Sequence, residues 1–359
     1  MDPNSQPQGP HEPLAPVEIV DERPPRGPRR RTGVLGGLLI VLLLLGLGVS
    51  AMLNIAFLFG GVSLDSKRKV REKFFSHASS GSDKIVIISV DGVILDEDDG
   101  FVKRQIDQAE EDDDVKAVVL RVNSPGGTVT GSDYLYHHLN EMREERKFPV
   151  VVSMGSLAAS GGYYVSMAAG DTPDCIFAEP TTWTGSIGVI IPHYDLSTLL
   201  GKWGVQDDSI ASHPLKNMGS FAKQMTEEER QIYQELVDET FDRFKEIVKS
   251  GRPQFKKDPE ALNKLATGQV YTAEQALELG LVDKIGFLEE AVERAIELAN
   301  LDRDDVRVVK YKREPTLVDV LMGAKASQRG FDLAEVLDLT VPRAYYLWSR
   351  VPPLVRSGS

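Results

Sequence analysis

Residues 150–163 read Val-Val-Val-Ser-Met-Gly-Ser-Leu-Ala-Ala-Ser-Gly-Gly-Tyr, an apolar run followed by a serine and two glycines. The segment from Pro149 to Met154 predicts a buried strand, and Ser160 is expected at a turn from strand to helix. Glycine lets the backbone bend sharply and lets another chain approach closely. A helix that starts at Ser160 directs its free N–H groups towards an anion forming beside the hydroxyl. The stretch therefore suits acyl transfer, provided that another group activates the Ser160 hydroxyl.

Strands and helices alternate on both sides of this stretch. Apolar runs at 85–90 and 117–122 predict further buried strands, and segments 101–111 and 130–146 predict helices between them. This alternation is typical of βαβ units, so the expected fold class is α/β with a parallel sheet and crossover helices.

The second half of the chain is predicted to be mainly helical. Thr226 opens a helix over 226–250 with a capping-box pattern, and residues 271–283 predict a capped helix, a glycine stop and a short strand. Another helix is predicted over 287–299. No internal repeat is present, which favours a single catalytic domain.

Composition excludes several classes of function. The chain has 359 residues and a formal net charge of −13, which argues against a general nucleic-acid binder. The single cysteine, Cys175, permits no internal disulfide and cannot complete a zinc site of thiolates. Neither a metal nor a cofactor is expected.

Residues 33–59 are uncharged and rich in Leu, Val, Ile, Ala and Gly. The run exceeds the roughly 20 residues that a helix needs to cross a bilayer. A buried soluble helix and a cleaved signal peptide, with Val49-Ser50-Ala51 as the cleavage site, are the alternatives. We favour an uncleaved transmembrane anchor, because the run is longer than a signal core and a 32-residue tail precedes it.

The charges beside this run leave its orientation undecided. Five arginines precede it and five basic residues follow it: Arg23, Arg26, Arg29, Arg30 and Arg31, then Lys67, Arg68, Lys69, Arg71 and Lys73. Only the closeness of residues 29–31 to the run favours a cytosolic N-terminus.

These patterns divide the chain into five segments. We expect a disordered cytosolic tail at 1–32, the anchor at 33–59, a polar linker at 60–82 with a short helix at its start, a catalytic domain at 83–300 and a C-terminal extension at 301–359.

Three glycine-containing segments are candidates for the chemistry. Residues 121–127 end a predicted strand in Asn-Ser-Pro-Gly-Gly, where the N–H groups of Gly126 and Gly127 are suited to an oxyanion pocket. Residues 155–163 supply Ser160, and residues 182–188 place Ser186 between glycines before another predicted strand. Open α/β sheets gather their sites at the carboxyl ends of the strands, so the three segments are expected to meet.

The residues alone leave several candidates for the base that activates Ser160. His193 and His213 suit a Ser-His arrangement, whereas Lys216 lies in a stretch, 209–226, that contains no Asp or Glu. A lysine base must be neutral, so its pKa must fall from about 10.4 to roughly 7 or 8, about 4 kcal/mol of differential destabilisation. Desolvation supplies this where no carboxylate stabilises the ammonium. Lys216 is the better candidate, and Lys202 and Lys223 are its rivals.

Taken together, these segments resemble the signal peptide peptidase A family of bacterial, membrane-anchored serine peptidases. The resemblance covers about residues 84–300 and rests on motifs in family order: Asn-Ser-Pro-Gly-Gly at 123–127, Ala-Ala-Ser-Gly-Gly-Tyr-Tyr at 158–164, Thr-Trp-Thr-Gly-Ser-Ile-Gly-Val-Ile at 182–190, and Lys216 shortly before Met-Thr-Glu-Glu-Glu at 225–229. The segment before the lysine departs from the family pattern Ser-Gly-x-Tyr-Lys, because this chain has Ser-His-Pro-Leu-Lys.

The resemblance implies a role for each residue. The family's nucleophile falls on Ser160 and its general base on Lys216, and the oxyanion donors fall on the backbone N–H groups of Gly127 and Gly161. Ser186 is expected to hydrogen-bond the lysine amine, with Gly126 supporting the oxyanion turn.

The resemblance also implies an architecture and a location. The family fold is similar to ClpP and the crotonases, and short members form rings in which the lysine reaches the serine of a neighbouring subunit. The anchor places the catalytic domain outside the cytoplasm of a bacterial cell, on its cytoplasmic membrane. The expected function is a serine endopeptidase that degrades apolar peptides such as cleaved signal peptides. A crotonase-like enzyme acting on acyl-CoA and a catalytically idle membrane scaffold are the alternatives.

Overall fold

The computed structural model describes residues 32–59, 70–96, 98–313 and 345–347. The predicted tail before residue 32, the first part of the predicted linker and most of the C-terminal extension lie outside the described residues. The chain divides into two units, residues 1–63 and 64–359, which are described separately.

The first unit contains a single described helix, α1 (Thr32–Phe59), over the apolar run. Side chains are described for residues 36–48 and for Ser50, and the large apolar ones are 56–67% exposed. Among the residues described in full, no helix combines the length and the hydropathy that crossing a membrane requires. The expected helix is therefore present, and the expected transmembrane span is not supported.

The second unit is built on strands that follow the predicted apolar runs and extend beyond them. In chain order these are β1 (Val70–His77), β2 (Asp83–Asp91), β3 (Val115–Ser124), β4 (Gly126–Thr128), β5 (Val150–Ala159), β6 (Ile176–Ala178), β7 (Trp183–Gly185), β8 (Val270–Thr272), β9 (Lys284–Ile285), β10 (Val306–Arg313) and β11 (Tyr345–Leu347).

The main sheet has the order β1-β10-β2-β3-β5-β6-β9. Every neighbouring pair along this path is parallel except β1 with β10. Strand β7 pairs with β5 in parallel and with β8 in antiparallel fashion, while β11 and β4 form a separate antiparallel pair. The prediction of a mixed α/β fold with a largely parallel central sheet is confirmed.

Helices connect these strands. They are α2 (Phe101–Glu111), α3 (Val129–Arg146), α4 (Gly161–Ser166), α5 (Ser197–Lys202), α6 (Glu227–Gly251), α7 (Gln254–Lys257), α8 (Pro259–Leu265), α9 (Ala273–Glu278) and α10 (Leu288–Ala299). Thr226 and Thr272 cap α6 and α9 with complete capping boxes, as the sequence predicts.

The core lies on the central strands. Residues 84–90 of β2 and residues 117–120 of β3 are buried, and α10 packs against β3 and β5. Strands that read as continuous Val and Ile runs are those covered on both faces of a parallel sheet.

The structure differs from the sequence-based predictions at the edge of the sheet. Residues 70–77, predicted as linker, form strand β1, and residues 306–313 of the predicted extension form β10, which lies between β1 and β2. The predicted glycine turn contains β4, and β7 lies within the 182–188 motif rather than after it. Charged residues interrupt the apolar pattern of β1 and β10, so their sequences resemble polar connections.

Candidate active site

Ser160 lies between the end of β5 and the start of α4. Its φ of +57° is in the region that non-glycine residues rarely adopt, at a cost of about 1–3 kcal/mol. The Ser160 N–H donates to the Gly185 carbonyl at 2.7 Å, and the Ser160 carbonyl accepts from Tyr164 N at 2.8 Å. With 1% of its surface exposed, Ser160 is held at a sharp and strained turn, as the sequence predicts.

The two glycine segments contact each other beside Ser160. A Cβ on Gly161 would lie 3.1 Å from Gly126 Cα and 3.2 Å from Gly127 N, and 2.4 Å from Ser132 Oγ. A Cβ on Gly126 would lie 2.6 Å from Gly161 N. Only glycine permits this backbone approach, which places the proposed oxyanion amides of Gly127 and Gly161 close together.

Strand β4 fixes the position of the first segment. Ile94 N donates to the Gly126 carbonyl, and Thr128 N donates to the Ile94 carbonyl, both at 2.9 Å. On the other side of β4, Tyr346 of β11 is the register partner of Gly127. The sequence does not predict β11, because Tyr345-Tyr-Leu is a short apolar group without a turn or periodic signal around it.

Tyr346 anchors β11 beside the site. Its ring is fully buried and stacks on Tyr164 of α4, with ring centroids 5.1 Å apart, and its hydroxyl donates to the Thr240 carbonyl at 2.9 Å. Burial raises the pKa of the Tyr346 phenol above its usual range, so the phenol stays neutral.

Ser186 follows β7 as Ser160 follows β5. The two strands are parallel, with Ala159 opposite Gly185, so the two serines leave neighbouring strands at the same edge. Ser186 also has a positive φ, +51°, is buried, and donates its N–H to the Gln269 carbonyl at 2.7 Å. The structure therefore brings Ser160 and Ser186 together with Gly126 and Gly127.

Lys216 is not part of this arrangement within one chain. It lies in a 3₁₀ helix, Pro214–Asn217, and its side chain is exposed. Among the described residues, no hydrogen bond or ion pair joins its ammonium to Ser160 or Ser186.

A carboxylate lies near this helix. Asp207 accepts a hydrogen bond from Asn217 Nδ2 at 3.0 Å, although it precedes the acid-free stretch that the sequence analysis considered. Hydrogen bonds from the Ser209 hydroxyl, from Asn217 and from the Ser209 amide lower the pKa of Asp207 to about 2. Residues 209–226 contain no Asp or Glu, but the fold brings the carboxylate of Asp207 into contact with them.

The rival bases have other partners or positions. Lys223 forms an ion pair with the buried carboxylate of Glu229, the capping-box residue of α6. Burial opposes ionisation of Glu229, but the hydrogen bonds from Lys223 and from the Thr226 amide prevail and lower its pKa. His213 accepts from Leu215 N at 3.2 Å, whereas Lys202 is exposed in the last turn of α5. Lys223 is thus engaged by the buried carboxylate of Glu229 and does not suit a base.

The segment that carries Lys216 exposes many large apolar side chains. Trp203 is 76% exposed and Ile210 is fully exposed, and others along the segment are about half exposed: Ile190, Tyr194, Leu199, Val205 and Phe221. Large exposed apolar side chains are thus frequent along this segment.

Possible metal ligands come together once in the part of the chain that the structure describes. The ring nitrogens of His137 and His138 and a carboxylate oxygen of Glu141 lie within 4.8 Å of one another on α3. Ring nitrogens of His137 and His138 lie 3.7 and 3.2 Å from a carboxylate oxygen of Glu141. The group belongs to the helix surface and includes none of the predicted site residues.

Comparison with known proteins shows which family the chain belongs to. The sequence profile of peptidase family S49 matches residues 142–302, a range that contains Ser160, Ser186 and Lys216. Protease 4 of Salmonella typhi is 37% identical over 265 residues, which cover 72% of this chain and 41% of that protein.

Two shorter relatives match over most of their length. A putative signal peptide peptidase SppA of Enterococcus faecium is 38% identical over 244 residues, covering 65% of this chain and 68% of the relative. A putative protease of Synechocystis is 37% identical over 257 residues, covering 72% and 88%. The chain thus spans less than half of Protease 4 but most of these shorter proteins.

Proposed function

Because the chain belongs to peptidase family S49, we propose that it is a serine endopeptidase with Ser160 as nucleophile and Lys216 as general base. The main support is the buried, strained Ser160 at the carboxyl edge of a parallel sheet, next to the point where Gly161 lies against Gly126 and Gly127. Such preorganised amides stabilise the charge that develops on a carbonyl oxygen during acyl transfer.

The proposed reaction has two steps. Neutral Lys216 takes the proton of Ser160 as its Oγ bonds to the peptide carbonyl carbon, and the Gly127 and Gly161 amides stabilise the oxyanion. Lys216 then gives that proton to the leaving amine as the C–N bond breaks. A water molecule repeats the sequence on the acyl-enzyme and releases the acid, returning Ser160 to its starting state. Ser186 is proposed to accept from or donate to the Lys216 amine and so orient it.

We propose that the lysine comes from a neighbouring copy in a ring. An exposed Lys216 on a segment rich in exposed apolar residues suits a subunit contact better than a free surface. Packing against a neighbour would remove water from the amine, and desolvation lowers the pKa of a lysine. The same contact therefore supplies both the position and the neutral form of the base.

The apolar helix and the relatives suggest where the enzyme acts and on what. Residues 33–59 are uncharged, and their described side chains are exposed, which favours a single-pass anchor. The arginines at 29–31, directly before the run, favour a cytosolic N-terminus. One similar protein is named a putative signal peptide peptidase. We propose extended apolar peptides, including cleaved signal peptides, as substrates outside the cytoplasm.

Fluorophosphonate labelling tests the nucleophile. The purified full chain should be modified on Ser160, and Ser160→Ala should lose both labelling and peptide hydrolysis. Ser166→Ala is the matched control, since this buried serine lies on α4 and its hydroxyl donates to the Gly162 carbonyl. Labelling of another serine with Ser160→Ala fully active would disprove the assignment.

The base is tested in the same assay. Lys216→Ala should lower the rate of hydrolysis by at least about a hundredfold, because general-base catalysis contributes roughly 10²–10⁴-fold. Lys202→Ala should leave the rate unchanged. An unlabelled chain that binds coenzyme A would instead favour the crotonase-like alternative, and a chain that hydrolyses no unfolded protein would favour the idle scaffold.

A further inference from the structure

Two pairs of like charges lie directly opposite each other on β1 and β10. Arg71 is the register partner of Lys312, and Lys73 is the register partner of Lys310. Directly opposed residues of an antiparallel pair point to the same face, with Cβ atoms about 4.5–5.5 Å apart. Residues two apart on one strand also share a face. Arg71, Lys73, Lys310 and Lys312 therefore form one cluster, here called the cationic face.

The cationic face is not neutralised by the described part of the chain. No carboxylate of the described residues forms an ion pair with any of its four side chains, and three of them are exposed while Lys310 is half-buried. Glu72, which stands between Arg71 and Lys73, points to the other face of β1, where it binds Lys84 at 2.8 Å. Like charges directly opposite each other are destabilising, and this cluster occurs in a chain of net charge −13.

Protection of a sheet edge does not explain the cluster. Charged side chains on an edge strand prevent unwanted pairing, which accounts for Arg71 and Lys73 on β1. Strand β10, however, lies between β1 and β2, and its residues 307–310 are paired on both sides. Lys310 therefore needs another explanation, and an external anion that lies across both strands provides one.

We propose that the cationic face binds the anionic phospholipid headgroups of a membrane surface. Only ten residues, 60–69, separate β1 in sequence from the apolar helix α1, and they end in the basic group Lys67-Arg-Lys. Cations close to an anionic bilayer are attracted to it, so several together strengthen the contact. The inference extends the proposed membrane anchoring, whereas peptide hydrolysis at Ser160 does not depend on it.

Lysine footprinting on the full chain tests the proposal. The protein is reconstituted in phosphatidylcholine vesicles with and without phosphatidylglycerol, acetylated from outside, and analysed residue by residue by mass spectrometry. Lys73, Lys310 and Lys312 should react at least about threefold more slowly in the anionic vesicles, and this protection should disappear at about 0.5 M salt. Lys256, Lys257 and Lys264, which are exposed on α7 and α8, should react equally in both.

Two charge-matched variants complete the test. Replacing Lys73, Lys310 and Lys312 by Gln should abolish the extra protection of β1 amides from hydrogen exchange in anionic vesicles. Replacing Lys256, Lys257 and Lys264 by Gln should retain it. Equal lysine reactivity in both lipids, or protection that appears in neutral vesicles and depends on protein concentration, would overturn the proposal, the latter in favour of pairing between copies.

Vesicle flotation tests membrane anchoring separately from the role of the cationic face. A chain that floats with neutral vesicles is anchored, and footprinting then decides the role of the cationic face. If the chain does not float with neutral vesicles, anchoring is wrong. Flotation with anionic vesicles, lost in the Lys73, Lys310 and Lys312 variant, would then support the cationic face, and no flotation would overturn it.

Discussion

The candidate site depends on a few residues with unusual backbone. Ser160 and Ser186 both have positive φ and lie at the ends of paired parallel strands, where the backbone turns away from the sheet. Strain of this kind persists only where the surrounding structure enforces it, and it concentrates at functional sites. Gly161, the residue after Ser160, lies so close to Gly126 and Gly127 that the three form one backbone contact.

Gly161→Ala tests this contact. The new methyl group would lie 2.4 Å from Ser132 Oγ, 3.1 Å from Gly126 Cα and 3.2 Å from Gly127 N. We therefore expect the free energy of unfolding to fall by about 1–3 kcal/mol and most of the activity to be lost. Gly201→Ala on α5 is the control, because nothing lies within 4 Å of its Cβ position, and it should be neutral or slightly stabilising. Urea unfolding and peptide hydrolysis measure both effects, and a fully stable, fully active Gly161→Ala would contradict the close contact.

At the scale of elements, a buried charge cluster joins β1, β2 and the end of α2. Lys84 of β2 is almost fully buried and forms ion pairs with Glu72 of β1 and with Asp112 after α2. Burial acts to lower the pKa of Lys84, but the hydrogen bonds to Asp112 and Glu72 prevail and raise it. Burial likewise acts to raise the pKa of Asp112, and the bonds from Lys84 and the Asp114 amide prevail and lower it.

These shifts predict how stability varies with pH. The contribution of Asp112 is present above its unfolded pKa of about 3.9 and is lost as the pH falls through its lower folded value. The contribution of Lys84 is present below about pH 10.4 and is lost as the pH rises through its higher folded value. The free energy of unfolding, measured in urea across pH, should therefore be flat for this cluster between these limits.

Lys84→Met checks the cluster. It leaves two carboxylates without their cation, at a cost of about 3–5 kcal/mol in the free energy of unfolding near neutral pH. The loss of stability in acid that is assigned to Asp112 should then shrink or reverse. Lys249→Met removes a surface pair with Glu246 and should cost less than about 1 kcal/mol. Equal costs for the two variants would show that the buried cluster contributes no more than a surface pair.

At the scale of the whole molecule, one chain carries both proposed catalytic groups without joining them. Ser160 is buried at the sheet edge, whereas Lys216 is exposed on a segment with exposed Trp203 and Ile210. A site completed by a neighbouring copy explains the exposed lysine and the exposed apolar side chains together.

Mixing two inactive variants tests this arrangement. Ser160→Ala and Lys216→Ala should each be inactive alone, but mixed and reassembled rings should regain activity, up to about one quarter of the native sites, where an intact serine meets an intact lysine across a contact. Trp203→Asp in both chains should weaken assembly and remove the recovery. A mixture that stays inactive although both variants assemble together would place the base within the same chain.

The sequence predicted the elements whose signals are local. Val and Ile runs identified β2, β3 and the first half of β5, Thr226 and Thr272 marked the starts of their helices, and Ser-Gly-Gly marked the turn at Ser160. These signals depend on neighbours within a few residues, so they are readable without the fold.

The tertiary structure alone decided the pairings between distant segments. Strand β1 pairs with β10 across more than 200 residues. The charged residues that make both strands resemble polar connections in the sequence form one cationic face only when Lys73 lies opposite Lys310. Tyr346 likewise reaches the Gly127 strand from the far end of the chain. The sequences of such segments carry no periodic apolar pattern, because each segment forms a strand only when a distant partner supplies its hydrogen bonds.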